Sequence, residues 1–360
     1  MKILSISLDK KILERDSSVQ KRVLEYGELI EQYDIIVLGN QSNSFNLSEK
    51  VKIISIASEN KVLGFLRLKF SVWKILKKEK YDLITVQDFY FIGFLALQMA
   101  RAFKVGLEIQ VHGFEKFKGI RKILAKYVLK RADAIRAVSE RLKKQLIGDF
   151  RVKEDKITVV PIYVNVGVVE TQGIASAEDK NKNFIFLTIG RLVPVKNIEM
   201  QIRAMANLKE KFKNIELWIV GEGPERKNLK FKIKNLKLEE NVKLLGYKDD
   251  LTKFYSTADS FLLTSDYEGY GMVIVEAASY GLPIIMTDVG CAGEFIKNNE
   301  NGIVVLTKDE EALEEKMEEL IKNQELRIRL GNNARESIKN LLNKEETLNL
   351  YLKSWEKVIL

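Results

Sequence analysis

The segment SDYEGYGMVIVEAA, at residues 265–278, has the most informative pattern in the chain. An apolar run, Ser260–Leu263, comes just before it and predicts a buried strand. Its second half begins a helical pattern, Met272–Tyr280, which Gly281-Leu282-Pro283 ends before another apolar run, Ile284–Thr287. The segment therefore predicts a strand, a loop, a helix and a further strand in succession.

Two glycines and two glutamates give this loop its chemistry. Gly269 and Gly271 let the backbone approach a ligand, and the N–H groups of Tyr270–Val273 are free donors at the positive end of a helix dipole. Glu268 precedes these donors, and Glu276 follows it after seven residues. Carboxylates beside an anion site need other partners, and sugar hydroxyls fit. The alternative is a tight turn with two solvated glutamates.

Composition limits the classes of protein. A chain of 360 residues with 46% hydrophobic and 30% charged residues is typical of a globular protein with two domains. The single cysteine, Cys291, excludes an internal disulfide, and the single histidine, His112, excludes a histidine-rich metal site. There is no signal-peptide pattern and no apolar run near the ~18 residues of a membrane span. We therefore expect a cytoplasmic protein.

Positive charge is concentrated in the first half. Residues 1–160 hold 31 Lys/Arg against 19 Asp/Glu, whereas residues 161–360 hold 28 against 31. Such an excess suits nucleic acid, an anionic membrane at its inner face, or a phosphorylated substrate. The sequence has no nucleic-acid-binding motif, so we expect no nucleic acid partner.

Strand and helix patterns alternate through the first half, which predicts a parallel sheet with helices on both faces and ligands beyond the carboxyl ends of the strands. The predicted strands are Lys2–Leu8, Asp34–Leu38, Val51–Ile56, Leu83–Val86, Leu107–Val111, Ala134–Val138 and Ile157–Val160. The predicted helices are Val19–Glu31, Lys61–Lys80, Phe91–Phe103, Ile120–Arg131 and Glu140–Ile147.

Two features of this half have competing interpretations. His112 directly follows a predicted strand, so it is either a ligand-edge residue or a histidine with a local backbone partner. The helix Lys61–Lys80 has an apolar stripe among basic residues, formed by Val62, Leu66, Phe70, Trp73 and Leu76. Such a helix can lie on a membrane, but we favour a stripe that faces the core.

A second alternating unit follows a polar segment without sustained periodicity, residues 165–183. Its predicted strands are Phe184–Ile189, Glu216–Val220, Val242–Leu245, Ser260–Leu263 and Ile284–Thr287, and its predicted helices include Ile198–Lys211 and one near Asp250–Thr257. Arg191 and Lys196 share one strand-to-helix loop and can bind an anion there, unless both are simply solvated. Residues 309–360 predict three amphipathic helices.

The motifs of this second unit occur in an order that resembles one known family. They are Gly190-Arg191 followed by Lys196, then Gly221-Glu222-Gly223-Pro224, then Glu268 with Glu276 at a helix start. Together they resemble the retaining glycosyltransferases of the GT-B fold, family 4, or glycosyl transferases group 1. The resemblance covers most of residues 183–340 and rests on less in residues 1–165.

The resemblance implies an α/β fold of the GT-B class, with two Rossmann-like domains whose parallel sheets face each other across a cleft. An acceptor-binding domain would span 1–165 and include the C-terminal helix 345–360. A linker would span 166–182, and a domain that binds the nucleotide-sugar donor would span 183–344.

The resemblance also implies roles for single residues. Arg191 and Lys196 would hold the diphosphate leaving group, Glu268 would hold the sugar ring, and His112 would lie near the sugar; these four would be catalytic. The donor-binding residues would be Gly190, Glu222, Gly223, Tyr247, Gly269, Tyr270, Gly271, Met272 and Glu276.

We therefore predict a retaining hexosyltransferase that uses a UDP- or GDP-sugar. Its acceptor would be a glycan, a lipid-linked molecule or another hydroxyl, in surface polysaccharide or glycoconjugate synthesis, with peripheral contact to an anionic membrane. Fixed cations and helix N–H groups stabilise a leaving diphosphate, so we expect no metal and no cofactor. A GT-B nucleotide-sugar epimerase and a nucleotide-sugar-binding scaffold subunit remain alternatives.

Three positions depart from the family pattern. The segment Leu8–Val19 contains no glycine, although many members have a glycine-rich loop there. Asn197 follows Lys196 where glycine is common, and Cys291 follows Gly290 where a second glycine is usual. Asparagine tolerates unusual backbone angles, so the change at Asn197 is mild.

Overall fold

The structure is a computed structural model that describes residues 1–58, 60–114, 119–163 and 183–359. The chain divides into two compact units. The N-terminal unit consists of Met1–Pro161 and Leu342–Leu360, and the C-terminal unit consists of Ile162–Leu341. The predicted linker, residues 166–182, lies outside the described residues and stays a prediction.

The N-terminal unit is built on an eight-stranded sheet in the order β3-β4-β2-β1-β5-β6-β7-β8. Its strands are β1 (Lys2–Ser7), β2 (Gln32–Gly39), β3 (Asn43–Asn46), β4 (Val51–Ala57), β5 (Leu83–Val86), β6 (Gly106–Val111), β7 (Ala134–Ala137) and β8 (Ile157–Val159). Its first helices are α1 (Ser18–Glu28), α2 (Lys61–Lys78), α3 (Phe91–Phe103), α4 (Ile120–Arg131) and α5 (Glu140–Phe150). The predicted parallel sheet with connecting helices is confirmed, and the strand ends differ from the prediction by at most two residues.

One strand of this sheet was not predicted. Strand β3 pairs antiparallel with β4, whereas all other pairs in the sheet are parallel. Its sequence, NSFN, is short, polar and largely exposed, which is how edge strands avoid further pairing. Four such residues lack the β-branched alternation that marks a strand.

The prediction that the apolar stripe of α2 faces the core is wrong. Val62, Leu66, Phe70 and Trp73 are exposed, and of the five predicted stripe residues only Leu76 is buried. The core side of α2 is formed instead by Leu68, Val72 and Leu76. Two apolar stripes run along this helix, and helical periodicity alone does not say which one meets the sheet.

The glycine-free segment after β1 forms a 3-10 helix, Lys10–Leu13. The Asp9 side chain accepts a hydrogen bond from the Lys11 N–H at 3.0 Å. Ser17 donates its hydroxyl to the Lys11 carbonyl at 2.7 Å and caps α1 by accepting from the Gln20 N–H. Side chains of the segment itself therefore satisfy backbone groups that a glycine-rich loop would leave open to a ligand.

The C-terminal unit has a six-stranded, fully parallel sheet in the order β11-β10-β9-β12-β13-β14. Its strands are β9 (Phe184–Ile189), β10 (Ile215–Val220), β11 (Val242–Gly246), β12 (Ser260–Leu263), β13 (Ile284–Thr287) and β14 (Ile303–Val305). Its helices are α6 (Ile198–Lys211), α7 (Arg226–Asn235), α8 (Thr252–Thr257), α9 (Met272–Ser279), α10 (Glu310–Lys322) and α11 (Gln324–Ser337). The sequence missed only β14 among these strands, because three residues carry too little periodicity.

The chain direction across this sheet reverses between β9 and β12. The connections from β9 lead outward to β10 and β11, and the chain then returns to β12 on the other side of β9. In open parallel sheets, ligands bind beyond the carboxyl ends of the strands at such a reversal. A ligand site in this unit is therefore expected at the loops after β9 and β12.

The last helix, α12 (Lys344–Ile359), belongs to the N-terminal unit. Trp355 of this helix is fully buried and packs near the rings of Tyr26 and Tyr33, with centroids 6.2 and 6.1 Å away. The Ser354 hydroxyl donates to the Glu108 carboxylate in β6 at 2.5 Å. The helix is thus joined to the sheet by apolar packing and by buried hydrogen bonds.

Candidate active site

Two loops meet at the carboxyl ends of β9 and β12. The loop after β9 contains the 3-10 helix Pro194–Lys196, and the loop after β12 leads into α9. The Asp266 N–H donates to the Val195 carbonyl at 2.8 Å, and the Thr264 hydroxyl donates to the Asn197 carbonyl at 3.1 Å. Backbone and side-chain bonds together hold the two loops against each other.

Lys196 and Glu268 form an ion pair where these loops meet. The Lys196 ammonium donates to Glu268 Oε1, and the Ser265 hydroxyl donates to the same oxygen at 2.7 Å. The two charged side chains are 21% and 12% exposed, so both are held at the surface of the unit and remain reachable by solvent. The structure thus brings together two residues that lie 72 positions apart and that the sequence assigned to one site.

Asn197 shapes the end of the first loop. It adopts a left-handed conformation with φ 45° and ψ 41°, and its side-chain amide donates to Asp266 Oδ1 at 3.2 Å. Asparagine is among the few residues that accept this conformation at small cost. The expectation that Asn197 can stand where glycine is common is confirmed by its backbone angles.

The start of α9 is a second feature of the site. Gly271 has φ 93° and ψ 61°, a conformation that disfavours other residues, and Met272 is the first residue of the helix. Helix starts leave the first N–H groups without an intrahelical acceptor and carry partial positive charge. Gly269 and Met272 lie beside them, half-buried and exposed respectively.

Tyr270 serves the fold with its side chain. The residue is 5% exposed, and burial raises the pKa of its phenol above the ordinary value of 10.0. Its carbonyl accepts from the Cys291 N–H at 2.9 Å, and a Cβ at Gly290 would lie only 2.4 Å from the same oxygen. Any contact of Tyr270 with a nucleotide-sugar donor would therefore come from its backbone. Cys291 supports the loop through its own backbone N–H.

Glu276 has a partner that the sequence did not indicate. The Tyr255 hydroxyl of α8 donates to Glu276 Oε2 at 2.7 Å, and the Tyr255 ring stacks on Tyr280 with centroids 5.1 Å apart. Burial, followed by the charge of Glu276, raises the pKa of Tyr255 well above 10.0, so it stays a hydrogen-bond donor. No sequence signal marks Tyr255, because its contact with Glu276 depends on how α8 packs beside α9.

The loops after β9, β10 and β11 are bonded in series. The Gly190 N–H donates to the Val220 carbonyl at 3.0 Å, and the Gly221 N–H donates to the Gly246 carbonyl at 2.8 Å. A Cβ at Gly223 would lie 2.3 Å from the Leu192 carbonyl oxygen. Gly223 is thus needed for close packing of two loops, whatever its contact with a ligand.

Three other predicted residues lie at the surface of this unit. Glu222 forms an ion pair with Arg226 at 3.1 Å, and its side chain is 49% exposed. Tyr247 is 65% exposed, and a hydrogen bond with Asp249 raises the pKa of its phenol. Arg191 is exposed in the loop after β9. These three residues do not form one cluster through direct contacts with Lys196 and Glu268, as far as the described residues show.

His112 belongs to the N-terminal unit, directly after β6, where the sequence placed it. The residue is exposed, yet desolvation by surrounding protein, followed by the charges of Arg136 and Arg22, lowers the pKa of its imidazole below 6.5. His112 is therefore neutral at physiological pH, with one ring nitrogen as a hydrogen-bond donor and the other as an acceptor.

The described part of the chain contains no group of three His, Cys, Asp or Glu side chains arranged to hold a metal ion. None of its described helices is long and apolar enough to span a membrane. The site in the C-terminal unit offers a cation, a helix start and two carboxylates. Cations and helix N–H groups suit an anion such as a phosphate, and carboxylates suit hydroxyl donors.

Comparison with known sequence families covers both units. The family described as Glycosyl transferases group 1 matches residues 170–337, and the family described as Glycosyltransferase Family 4 matches residues 27–167.

Individual relatives agree with these families. The capsular polysaccharide biosynthesis glycosyltransferase CapM of Staphylococcus aureus is 30% identical over 260 residues, which are 69% of this chain and 68% of CapM. N-acetylgalactosamine-N,N'-diacetylbacillosaminyl-diphospho-undecaprenol 4-alpha-N-acetylgalactosaminyltransferase of Campylobacter jejuni is 29% identical over 317 residues, 83% of this chain and 85% of that protein. The lipopolysaccharide core glycosyltransferase LpsE of Rhizobium meliloti aligns over a smaller share, 57% of its length.

Solved structures show the same fold. Sucrose-phosphate synthase of Thermosynechococcus elongatus has a TM-score of 0.80 and 21% identity, with 99% of this chain and 98% of that chain covered. Anabaena HepE, solved in complex with UDP and glucose, has a TM-score of 0.78 and 19% identity, with 99% of both chains covered. Together with the family matches and the relationship to CapM, these structures show that the chain is a glycosyltransferase of group 1, family 4, with the GT-B fold.

Proposed function

We propose that this glycosyltransferase transfers a hexose-type sugar from a nucleoside diphosphate sugar to a hydroxyl acceptor, with retention of the anomeric configuration and without a metal. The observation that carries the proposal is the Lys196–Glu268 ion pair beside the start of α9, at the reversal point of the C-terminal sheet. This one place offers positive charge for a diphosphate and carboxylate oxygens for sugar hydroxyls.

Lys196 is proposed to change partner when the donor binds. In the structure its ammonium is paired with Glu268. A diphosphate beside the first turn of α9 would offer Lys196 a stronger set of acceptors, since phosphate oxygens form charge-assisted hydrogen bonds. Glu268 would then be free to accept from hydroxyls of the sugar ring, while Ser265 continues to hold one of its oxygens.

The same cations favour the chemical step. Cleavage of the bond between the anomeric carbon and phosphate oxygen builds negative charge on the diphosphate and positive charge on the sugar. Lys196 after its change of partner, Arg191 and the N–H groups at the start of α9 would stabilise that negative charge, which lowers the barrier. With the leaving group stabilised in this way, we propose attack by the acceptor on the same face of the sugar, within an ion pair.

Glu276 is proposed to bind the ribose hydroxyls of the donor. Tyr255 holds Glu276 Oε2, which orients the carboxylate and leaves Oε1 available as an acceptor. The loops at Gly221–Gly223 and Gly246–Tyr247 would border the base. UDP is the favoured nucleotide of the donor, with GDP second, since HepE was solved with UDP-glucose and an Escherichia coli relative is named for a UDP-galactose donor.

The acceptor is proposed to be a lipid-linked or other glycan at the cytoplasmic face of a membrane. Relatives from Campylobacter jejuni and Escherichia coli are named for acceptors linked to diphosphoundecaprenol, and CapM is named for capsular polysaccharide synthesis. The positive excess of residues 1–160 suits an anionic acceptor of this kind. His112, neutral at physiological pH, is proposed to contact the sugar during transfer.

A thermal-shift panel tests the donor class. Wild type and Glu276→Ala would be melted with UDP-, GDP-, ADP- and dTDP-sugars, and ligand at about a hundred times its dissociation constant adds about 2.7 kcal/mol of stability. We expect one nucleotide to stabilise wild type and to have a much smaller effect on the variant. No stabilisation of folded wild type by any of the four would contradict the proposed donor site.

Turnover separates the transferase from the other activities weighed above. With the donor found in the panel, release of nucleoside diphosphate should require an acceptor and should yield a glycosylated product. Interconversion of the donor sugar without acceptor would indicate an epimerase. Donor binding with no turnover for any glycan or lipid-linked acceptor would indicate a scaffold subunit.

A further inference from the structure

An apolar stripe on α2 faces away from the core of the N-terminal unit. Val62, Leu66, Phe70 and Trp73 are 71%, 56%, 64% and 40% exposed, and helical spacing puts them on one side of the helix. The rings of Phe70 and Trp73 stack with centroids 6.1 Å apart. A row of four large apolar side chains held in water is costly and marks an interaction surface.

The charges around this stripe have one sign. Between Val62 and Lys78 the sequence contains five basic residues and no acidic residue; the basic residues are Arg67, Lys69, Lys74, Lys77 and Lys78. The Lys77 ammonium lies 5.0 Å from the Trp73 ring centroid. The stripe is therefore bordered by long cationic side chains that can lie along apolar surface while their charges reach outward.

Helix α4 has the same character. Ile120, Ile123 and Tyr127 are 63%, 69% and 40% exposed, and the Arg131 guanidinium lies 3.9 Å from the Tyr127 ring centroid. The sequence of α4 contains five basic residues and no acidic one. Two helices of the unit thus expose both large apolar and basic side chains.

These helices lie on one face of the N-terminal sheet. The connections β4–α2–β5, β5–α3–β6 and β6–α4–β7 all advance in the same direction across the sheet. Right-handed crossovers that advance in one direction put their helices on one face. The connection through α1 advances in the opposite direction, so α1 lies on the other face, where it shares a core with Trp355 of α12.

We infer that the outer surface of α2, together with that of α4, docks on an anionic lipid bilayer. The apolar side chains would enter the region between headgroups and acyl chains, Trp73 and Tyr127 would lie at the interface, and the basic residues would pair with lipid phosphates. An interfacial helix has this combination of an apolar stripe with a cationic border. A nucleic acid would leave Val62 and Leu66 without a partner, and a general protein partner gives no reason for charges of one sign.

The inference bears on the acceptor proposed above but stands on separate observations. A chain that docks through α2 would meet a lipid-linked acceptor at the membrane surface, where this acceptor is concentrated. The docking surface contains none of the residues assigned to the donor. Binding to lipid can therefore be measured without donor or acceptor, and its outcome does not depend on the proposed chemistry.

Phe70 and Phe231 provide a matched pair for the test. Both phenylalanines are 64% exposed, and both lie on basic helices, α2 and α7. Wild type, Phe70→Ser and Phe231→Ser would be sedimented with vesicles of phosphatidylcholine alone and with vesicles containing phosphatidylglycerol. We expect wild type to prefer the anionic vesicles, Phe70→Ser to bind about tenfold or more weakly, and Phe231→Ser to bind like wild type.

A second variant tests the charges. Lys74→Gln combined with Lys77→Gln should weaken binding to the anionic vesicles by about fivefold per lysine, with little change on neutral vesicles. Unchanged melting temperatures and donor-induced shifts in all variants would show that the fold and the donor site are intact. Equal binding of wild type to both vesicle types, or equal loss in Phe70→Ser and Phe231→Ser, would overturn the inference. So would self-association of lipid-free wild type that Phe70→Ser abolishes, because the stripe would then be a dimer interface.

Discussion

The Arg136–Glu108 ion pair of the N-terminal unit and the Lys196–Glu268 ion pair of the C-terminal unit lie in different surroundings. In the N-terminal unit, Arg136 and Glu108 lie 3.7 Å apart with side chains 4% and 0% exposed. In the C-terminal unit, Lys196 and Glu268 are paired at the carboxyl ends of β9 and β12, with side chains 21% and 12% exposed. The first pair is sealed inside the fold, while the second is reachable by solvent.

Their surroundings make the difference concrete. Glu108 also accepts from Thr85 Oγ1 at 2.6 Å, from Ser354 Oγ at 2.5 Å and from Trp355 Nε1 at 3.2 Å. Glu268 accepts from Lys196 and Ser265, both in the loops of the candidate site. The carboxylate oxygens of Glu108 are thus occupied by partners within the fold, and this residue stabilises the N-terminal unit. Glu268 lies at the carboxyl ends of the strands, where its carboxylate can accept further hydrogen bonds.

The largest expected effect is on stability, from Glu108→Ala. The change leaves Arg136 buried without its carboxylate and removes the acceptor of Ser354 and Trp355, so we expect a loss of about 3–5 kcal/mol in the free energy of unfolding. Urea denaturation measures it. The control is Glu28→Ala, which breaks an exposed pair with Lys50 at 3.5 Å and should cost about 1 kcal/mol or less. Equal losses would mean that the buried network does not hold α12.

Lys196→Ala should act on turnover instead. Removing the cation that we propose to face the leaving diphosphate should lower kcat/KM by about 10²–10³, as loss of one charge-stabilising donor does in other enzymes. The melting temperature should change little, because the pair is partly exposed. The matched control is Lys308→Ala, since Lys308 lies 3.9 Å from Asp266 in the same region and is 72% exposed. A similar loss of activity in both variants would remove Lys196 from its proposed role.

Glu276 and Tyr255 should affect donor binding in graded fashion. Glu276→Ala removes a charged acceptor, so we expect KM for the donor to rise about tenfold or more. Tyr255→Phe removes only the hydroxyl that orients this carboxylate, so we expect a rise of about fivefold. Steady-state kinetics with varied donor measures both. A larger effect of Tyr255→Phe than of Glu276→Ala would contradict the order of action.

The smallest expected effect is the titration of His112. Its pKa in the folded protein is lower than the 6.5 of an unfolded chain. The unfolded state therefore binds more protons as pH falls below 6.5, so this group lowers stability toward acid pH and has no effect above 7. Because the chain has one histidine, a single imidazole signal in proton NMR reports the pKa directly. A midpoint at or above 6.5 would mean that desolvation and the charges of Arg136 and Arg22 do not lower the pKa of the ring.

The sequence predicted the features that depend on neighbours along the chain. The strand before Gly190, the strand before Thr264 and the helix after Gly271 follow from apolar runs, glycines and helix starts, which act over a few residues. The sequence also assigned Lys196 and Glu268 to one site, because parallel strands bring their carboxyl ends to the same side of the sheet.

The sequence could not predict what depends on packing between distant segments. Tyr255 reaches Glu276 only through the position of α8 beside α9, and Ser354 reaches Glu108 across 246 residues. The outward stripe of α2 was misassigned for a related reason. Both of its stripes have helical period, and only the sheet beneath the helix selects the one that is buried.

The measurement that tests the proposed role of the Lys196–Glu268 ion pair with fewest assumptions is titration of UDP into the folded protein by calorimetry. Wild type, Lys196→Ala and Lys308→Ala would be compared at one temperature and ionic strength. We predict that the dissociation constant rises about tenfold or more in Lys196→Ala, because a charge-assisted bond to phosphate is lost, and stays unchanged in Lys308→Ala. If folded Lys196→Ala bound UDP as tightly as wild type, the site at the carboxyl ends of β9 and β12 would not be the diphosphate site.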